Sequence, residues 1–190
     1  LGGAIANDVH GKNHHKLGTF GCHVNSFKIY RSEEGIVECS EKTHPELFRA
    51  TIGGLGLTGI ILQVEFKLKK INSSRVMVNN IKFNNIDEFF ELSELHDNDH
   101  EYTVSWIDCL SRGKSLGRGI YSYADHLDDN FLEFSDSKKL NFPINIPFSL
   151  VNYFTLKSFN TLYFNSQFNN KTTKISDYES FLYPLDKISN

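Results

Sequence analysis

The side chains best suited to chemistry are concentrated near the N-terminus, in residues 2–24, which have the sequence GGAIANDVHGKNHHKLGTFGCHV. Histidine, aspartate and lysine alternate there with repeated glycines, and almost no helical or strand periodicity is visible. Glycine permits positive φ values and close backbone approach, so such a segment turns sharply or passes close to a ligand. Backbone N–H groups that are freed by turns bind anionic or electron-rich groups. We therefore expect a ligand-binding loop here, without a regular helix and without a buried core.

Metal binding is one chemistry that these residues suggest, because His10 and His14 have the i, i+4 spacing of zinc-binding histidines on a helix. Gly11 and Asn13 lie between them and disfavour a regular helix. We therefore predict no metal site. His14 and His15 are expected to make local hydrogen bonds that orient the loop.

Composition excludes several other classes of protein. The chain has 190 residues, 39% of them hydrophobic and 23% charged, which suits globular structure. Its net charge of -3 gives no broad basic face for nucleic acid, and no apolar run approaches the ~20 residues of a membrane-spanning helix. Three widely spaced cysteines without a C-x-x-C motif indicate reduced thiols. Because Leu1 directly precedes the glycine motif, we expect the chain to be an internal piece of a longer protein.

After the glycine-rich stretch, the pattern predicts a hairpin and a short helix. Residues 26–30 and 36–39 are expected to be its strands, with a turn at residues 32–35. Thr43, Pro45 and Glu46 have the pattern of a capping box, in which Thr43 caps the helix and Glu46 reaches back. A second glycine run, residues 53–59, is expected to end that helix.

Residues 60–68 show the alternation of a half-buried strand, with Ile60, Leu62, Val64 and Phe66 on one face. The pattern changes around residues 69–74, and we place a domain boundary there, which gives domains at residues 1–70 and 71–190. The second domain is predicted to begin with a β-α-β unit, in which Asn85 caps the helix and both Phe89 and Phe90 face the sheet. The elements expected there are strands at residues 75–83, 102–109 and 116–124, a helix at residues 86–95, and either a helix or a strand at residues 151–168. These elements predict an α+β fold.

Residues 2–24 closely resemble the flavin-binding segment of the vanillyl-alcohol-oxidase superfamily, whose members carry a PCMH-type FAD-binding domain. Residues 45–66, PELFRATIGGLGLTGIILQVEF, match a second segment of that superfamily, and residues 102–119 and 181–190 match more weakly. The Lys-Asn-His-His run at residues 12–15 resembles the subfamily that oxidises decaprenylphosphoryl ribose. Aldonolactone and alditol oxidases of the same superfamily usually lack that run.

This resemblance implies that residues 1–70 are the second part of an FAD-binding domain and residues 71–190 the start of a mainly antiparallel substrate domain. It implies non-covalent FAD, hydride transfer from the 2′-hydroxyl carbon of a polyprenyl-phosphoryl pentose to flavin N5, and a short-chain reductase partner that completes an epimerisation. The family's phosphate-gripping loop and catalytic lysine would lie outside this chain, so the piece alone is expected to be inactive. The alternatives are an aldonolactone- or alditol-type sugar oxidase and, from another class, a non-catalytic carbohydrate-binding module.

The resemblance also assigns roles to individual residues. His10 would be the catalytic residue, which orients the substrate hydroxyl or stabilises charge on the flavin, and it would also contact substrate. Lys12 and Trp106 would bind substrate, since a lysine suits a phosphate-bearing sugar and an indole ring can cover a sugar. The alternatives are a structural hydrogen bond for His10, a solvated side chain for Lys12 and a core position for Trp106; Asp108 is expected to be structural. The positions assigned to FAD contacts are Gly2, Gly3, Asn7, Asp8, Val9, His10 and Ile61.

Overall fold

The structure is a computed structural model that describes residues 1–133, 140–141, 149, 151–184 and 188–189. The chain divides into two compact units, Leu1–Lys70 and Ile71–Asn190, which are described separately below as unit 1 and unit 2. Each unit contains helices beside an antiparallel sheet. The fold is therefore α+β, which confirms the predicted fold class.

Unit 1 is built on three antiparallel strands, β1 (Val24–Arg31), β2 (Gly35–Ser40) and β3 (Ile60–Phe66). The strand order is β2–β1–β3, so β1 pairs with both of its neighbours. β1 and β2 form the predicted hairpin, and Gly35 follows its turn with a φ of +71°. Paired side chains on the inner face form the core in two rows, Cys39–Phe27–Val64 and Val37–Ile29–Ile61.

The helices of unit 1 are α1 (Gly2–Ala6), α2 (His14–Leu17) and α3 (Pro45–Thr51), and a 3-10 turn spans Phe20–His23. The expectation that residues 2–24 form no regular helix and no core is therefore wrong. Ile5 of α1 is fully buried against Phe27 and Phe48, whose rings stack with centroids 5.1 Å apart. Burial of Ile5 offsets the free-energy cost of having two glycines in a helix, because tertiary packing overrides intrinsic helix propensity.

The predicted capping box before α3 is also wrong. The residue that precedes the helix is His44, which has a φ of +50°, and no side chain caps the helix. The Ser40 hydroxyl accepts the amide of Thr43 at 3.0 Å, so Thr43 belongs to the turn that follows β2. The helix starts at Pro45 instead, because the fixed φ of proline suits a first helical position.

The predicted buried face of β3 is shifted by a bulge. The register between β1 and β3 is irregular at Leu62, which is an extra residue in β3. As a result Ile61 and Val64 pack on the core, whereas Ile60 and Leu62 are exposed. A bulge reverses the alternation that a strand would otherwise keep, so the sequence pattern was wrong at Ile60 and Leu62 but correct at Val64.

Unit 2 contains β4 (Arg75–Phe83), β5 (Tyr102–Ile107), β6 (Gly119–His126), β7 (Leu140–Asn141), β8 (Lys171–Asp177) and β9 (Ile188–Ser189). Four of these strands form an antiparallel sheet in the order β5–β6–β4–β8, and β7 pairs with β9 in parallel. The three strands predicted in this unit are confirmed, although β5 ends at Ile107 and β6 begins at Gly119.

The helices of unit 2 are α4 (Ile86–His96), α5 (Tyr153–Ser166) and α6 (Tyr178–Leu182), and a 3-10 turn spans Gly113–Ser115. α4 begins at the predicted cap, because the Asn85 side chain accepts the amide of Glu88 at 3.0 Å. Phe89 of α4 packs on Phe83 of the sheet, but Phe90 is 56% exposed, so the expectation that both face the sheet is wrong for Phe90. The segment that the sequence left between helix and strand is α5.

α5 and α6 cover the opposite face of this sheet from α4. Side chains alternate along β4, so Val76, Val78 and Lys82 point away from the face that carries Phe83. α6 packs on the two valines, and Lys82 contacts α5. No helix in the part of the chain that the structure describes has the length and apolar character needed to cross a membrane.

Candidate functional site

The two glycine-rich runs of unit 1 meet at the C-terminal end of α1. The amide of Gly53 donates to the carbonyl of Ile5 at 2.9 Å, and the amide of Leu55 donates to the carbonyl of Ala6 at 2.7 Å. These carbonyls belong to the last turn of a helix, where carbonyls lack the usual i+4 amide partner. The second run therefore completes the end of α1 and fixes its position in the unit.

Asp8 closes the loop that follows α1, and we call residues 7–21 the Asp8 loop. Asp8 adopts a φ of +44°, and its Oδ1 atom accepts the amide of Gly21 at 2.8 Å. The carbonyl of Val9 accepts the amide of Phe20 at 2.8 Å, and the Asn7 side chain donates to the carbonyl of Gly3 at 2.9 Å. Three positions assigned to FAD contacts, those of Asn7, Asp8 and Val9, therefore use several of their polar groups to hold this loop together.

At most glycine positions of the chain, the structure explains why a larger residue would not fit. A Cβ at Gly21, Gly54 or Gly119 would lie within 2.5 Å of another atom, and one at Gly11 would lie 3.0 Å from the side chain of Asn13. Other glycines adopt positive φ values that residues with side chains rarely adopt. These are Gly18, Gly35, Gly53, Gly56, Gly59, Gly113 and Gly117.

At Gly2 and Gly3, neither crowding nor a positive φ requires glycine. Both lie in α1 without a positive φ. A Cβ at Gly2 would make an ordinary contact of 3.6 Å with Ile61, and one at Gly3 would meet no atom of the described residues within 4 Å. Ile61 itself packs on the core of unit 1 and so supports Gly2 from the sheet. Since glycine in a helix costs about 1 kcal/mol relative to alanine, Gly3 leaves backbone open to an approaching group at a cost to stability, whereas Gly2 lies against Ile61.

Three histidines, His10, His14 and His15, lie close to Lys12 in the sequence of the Asp8 loop. The rings of His10 and His14 have centroids 4.6 Å apart, and those of His14 and His15 are 6.1 Å apart. Nδ1 of His14 lies 3.0 Å from the carbonyl oxygen of Gly11, which is the local hydrogen bond expected for His14. His10 is exposed, whereas Lys12 is half-buried and burial lowers the pKa of its ammonium group. The segment thus offers imidazoles and a partly desolvated cation, which suit a hydroxyl group and an anion respectively.

No group of three or more His, Cys, Asp or Glu side chains in the part of the chain that is described is arranged to hold a metal ion. Cys22, Cys39 and Cys109 are free thiols.

Trp106, assigned to substrate binding, lies on β5 of unit 2. Its indole ring is half-buried and meets the ring of Tyr163 from α5 edge-on, with centroids 4.8 Å apart. Ile120 is its neighbour across the strand pair β5–β6. The structure therefore gives Trp106 a packing partner on α5, and a substrate contact stays a prediction.

Asp108 is the centre of a buried polar network that we call the Asp108 network. Its carboxylate is 3% exposed and accepts from the Asn160 side chain at 2.7 Å, the amide of Leu110 at 3.1 Å and Nε of Arg118 at 3.1 Å. Burial alone would raise the pKa of Asp108, but these hydrogen bonds and the positive charge of Arg118 hold it below its ordinary value. Asp108 is therefore structural, as expected. No periodicity or motif in the sequence indicated that Arg118 and Asn160 would be its partners.

An open groove of about 480 Å³ lies elsewhere on unit 1, at the tip of the hairpin. It is lined by residues 30–34 and 56–60, and none of the residues predicted to bind cofactor or substrate is among them. Its size alone does not indicate function, because a site also needs convergent chemical groups. We therefore place the candidate site at residues 2–12, where open backbone adjoins His10 and Lys12 in the sequence.

Comparison with known proteins gives two informative relatives. A Mycolicibacterium smegmatis protein named decaprenylphosphoryl-beta-D-ribose oxidase is 31% identical over an alignment of 198 residues, which covers 98% of this chain and 43% of that protein. A Streptomyces coelicolor protein named as an uncharacterized protein in the mprA 5′ region is 36% identical over 128 residues, which cover 66% of this chain and 34% of that protein. The chain spans less than half the length of these curated relatives, and no protein-family model matches it. Over nearly its whole length, the chain is thus related to part of an oxidase.

Proposed function

We propose that this chain is part of an FAD-dependent oxidoreductase that oxidises a sugar hydroxyl, and that the substrate is the 2′-hydroxyl of a polyprenyl-phosphoryl pentose. Support comes from the similarity of nearly the whole chain to a protein named decaprenylphosphoryl-beta-D-ribose oxidase. In this proposal residues 1–70 belong to an FAD-binding domain, and residues 71–190 belong to a substrate domain.

The observation that carries the cofactor part of the proposal is the open backbone at Gly3, next to Gly2 in α1. Neither a positive φ nor crowding by the described residues requires glycine at these two positions. A flat ring or a phosphate can approach such backbone to van der Waals contact, whereas a side chain would stand in its way. The residues present therefore fit FAD, which when bound would accept the hydride removed from the sugar carbon.

His10 is proposed as the catalytic residue. Oxidation of an alcohol to a ketone removes a hydride from carbon and a proton from oxygen, so the hydroxyl must be oriented while both leave. The imidazole of His10 is exposed and can form a hydrogen bond with that hydroxyl. Correct orientation of the hydroxyl also sets the direction of the reacting C–H bond.

Lys12 is proposed to bind the phosphate of the substrate. Burial penalises the charged form of Lys12 and lowers its pKa. A phosphate placed beside the ammonium group would compensate for this penalty, because a charge-assisted hydrogen bond favours the charged form. A neutral free sugar carries no charge that could compensate for the burial of Lys12. The residue therefore favours a phosphate-linked substrate.

In unit 2, Trp106 is proposed to cover the sugar or the lipid phosphate with its indole ring. The edge-on contact with Tyr163 supports that ring from α5. The ketone product would then pass to a short-chain reductase partner, which returns the hydroxyl with inverted configuration and so completes an epimerisation.

Anaerobic visible absorption spectroscopy of the protein expressed from its complete reading frame tests this function. We expect a flavin band that bleaches when a polyprenyl-phosphoryl pentose is added. Bleaching only with alditols or aldonolactones would contradict the substrate and favour the free-sugar oxidases. A spectrum without a flavin band, even after FAD is added, would contradict the enzyme and favour a non-catalytic carbohydrate-binding module.

Two variants separate the roles of backbone and side chain. Gly3→Leu is expected to weaken FAD binding at least about tenfold, because the added side chain occupies the open face of α1. Glu91→Leu, which adds the same side chain at an exposed position of α4, is the matched control and should keep its flavin.

His10→Gln is expected to keep flavin and to slow bleaching by roughly 100-fold or more. A His10→Gln protein that bleaches at the original rate would remove His10 from the reaction.

A further inference from the structure

Helix α5 of unit 2 exposes apolar side chains that the described residues leave uncovered. Phe154, Phe159 and Leu162 are 79%, 56% and 72% exposed. The helix has 14 residues, and Lys157 is its one charged side chain. A helix on the surface of a globular protein usually turns a charged face to water, and α5 does not. This face therefore suits a non-aqueous environment.

The orientation of α5 is fixed from its other side. Asn160 donates to Asp108, and Phe164 is buried between the cations of Lys82 and Arg118, at 4.2 and 4.7 Å from its ring centroid. Asn160 and Phe164 are one helical turn apart, so they form an inward stripe. Phe159 and Leu162 consequently point away from the sheet, and we call them, with Phe154, the outer face of α5.

The charge around α5 differs from that of the rest of the chain. No aspartate or glutamate lies between Asp136 and Asp177, so all 23 acidic residues lie outside that interval. The exposed cations Lys157 and Lys174 fall within it, although the whole chain has a net charge of -3. Phe168, in the connection from α5 to β8, is 94% exposed. Apolar side chains and lysines thus occur together without any neutralising carboxylate in the same stretch.

We propose that the outer face of α5 docks on the surface of an anionic lipid bilayer. Phenylalanine and leucine side chains would enter the boundary between headgroups and acyl chains, and Lys157 and Lys174 would contact lipid phosphates. A fluid lipid surface needs no shape complementarity, which suits a convex helix whose exposed apolar side chains are separated by serine and threonine. The inference does not depend on the bound cofactor or on the reaction proposed above.

Vesicle co-sedimentation of the full-length protein tests the proposal. We expect binding to vesicles of mixed phosphatidylglycerol and phosphatidylcholine, and weaker binding to phosphatidylcholine alone. The double variant Phe159→Ser, Leu162→Ser should bind at least about tenfold more weakly, because two apolar side chains that would be buried in the bilayer are lost. Lys157→Gln and Lys174→Gln should each weaken binding roughly fivefold, and added salt should have the same direction of effect.

The matched control is the double variant Phe90→Ser, Leu95→Ser on α4. These side chains are 56% and 64% exposed, but α4 also carries Asp87, Glu88, Glu91 and Glu94, so it should not face anionic lipid. Binding of this variant is expected to be unchanged, and circular dichroism should show both double variants folded.

Three outcomes would overturn the proposal. The first is wild-type protein that stays in the supernatant with phosphatidylglycerol vesicles. The second is equal binding by the α5 and α4 double variants. The third is loss of self-association in the α5 variant without any vesicle binding, which would make this face a protein contact. Gly3→Leu protein should still bind vesicles, so a failure of the flavin proposal is distinguishable from a failure of this one.

Discussion

Asp8 and Asp108 each hold a loop closed, but their surroundings differ. Asp8 in unit 1 is half-buried, adopts a positive φ and accepts the amide of Gly21. Asp108 in unit 2 is 3% exposed and accepts from Asn160, Arg118 and the amide of Leu110. The Asp8 loop is closed largely through backbone groups, whereas the Asp108 network is built from charged and amide side chains.

The difference shows which polar side chains are left for a ligand. A buried carboxylate is stable only when partners replace the water it has lost, so the side chains of the Asp108 network are committed to the fold. In the Asp8 loop, backbone amides provide the closure and the side chain of His10 remains exposed. We therefore expect substitutions in the Asp108 network to affect stability most, and substitutions at His10 to affect binding and reaction.

The largest effect is expected for Asp108→Ala. It leaves the half-buried Arg118 without its carboxylate and Asn160 without its acceptor, and breaking a pair with a buried partner costs about 3–5 kcal/mol in the free energy of unfolding. Urea unfolding followed by the fluorescence of Trp106, the single tryptophan of the chain, measures the loss in unit 2. Lys114→Ala at a nearby exposed position should cost less than about 0.5 kcal/mol. A loss below about 1 kcal/mol for Asp108→Ala would show that the network is dispensable.

Gly21→Ala should have the next largest effect, and it acts on the Asp8 loop. The added Cβ would lie 2.5 Å from Cγ2 of Ile52 and 2.9 Å from Oδ1 of Asp8, and such overpacking costs about 1–3 kcal/mol. Gly3→Ala is the control, because its Cβ meets no described atom and alanine stabilises a helix by about 1 kcal/mol. Thermal unfolding of both variants should therefore shift the melting temperature in opposite directions. Shifts of the same sign would contradict the assignment of open space at Gly3.

Asp8→Ala is expected to cost about 1–2 kcal/mol, since it removes the acceptor of the Gly21 amide and leaves alanine at a φ of +44°. Asp8→Asn keeps an acceptor oxygen and tolerates that φ, so it should cost less than about 0.5 kcal/mol. Denaturant unfolding of the two variants compares them directly. Equal losses would mean that the negative charge, and not the hydrogen bond, stabilises the loop.

The smallest effect is a pH dependence in unit 2. The pKa of Asp108 is below its ordinary value, because hydrogen bonds and Arg118 outweigh the effect of burial. A carboxyl group with a lowered pKa in the folded state contributes stability above its unfolded pKa, near 3.9, and loses it as the pH falls through the folded pKa. Urea midpoints measured from neutral pH downwards should therefore decline more steeply in wild type than in Asp108→Asn. Parallel curves would show that the carboxyl group of Asp108 does not contribute to the acid sensitivity of the protein.

Local signals in the sequence located several elements correctly. Asn85 caps α4, and the β1–β2 hairpin turns before Gly35, because a cap or a turn depends on a few adjacent residues. The same kind of signal failed at Thr43, since the hydroxyl of Ser40 holds the Thr43 amide in a different turn. Local patterns are therefore decisive only where no neighbouring turn competes for the same groups.

The candidate site was accessible to sequence analysis only in part. The glycine runs pointed to residues 2–24, and the structure brings the second run against α1 through the amides of Gly53 and Leu55. Which glycines are open was not predictable, because positions such as Gly3 and Gly21 differ only in what lies beside them. The helical structure of α5 was equally unpredictable, since residues 151–168 suited either helix or strand.

The sequence by itself determined the α+β class, the glycine-rich runs and the acid-free interval around α5, because composition and short-range periodicity are properties of the chain alone. Tertiary structure decided that Ile5 makes α1 helical despite Gly2 and Gly3, and that a bulge at Leu62 turns Ile61 inward. It also joined Asp108 to Asn160 across the fold. Such contacts join residues that are far apart in the chain, so their energies enter only when the chain has folded.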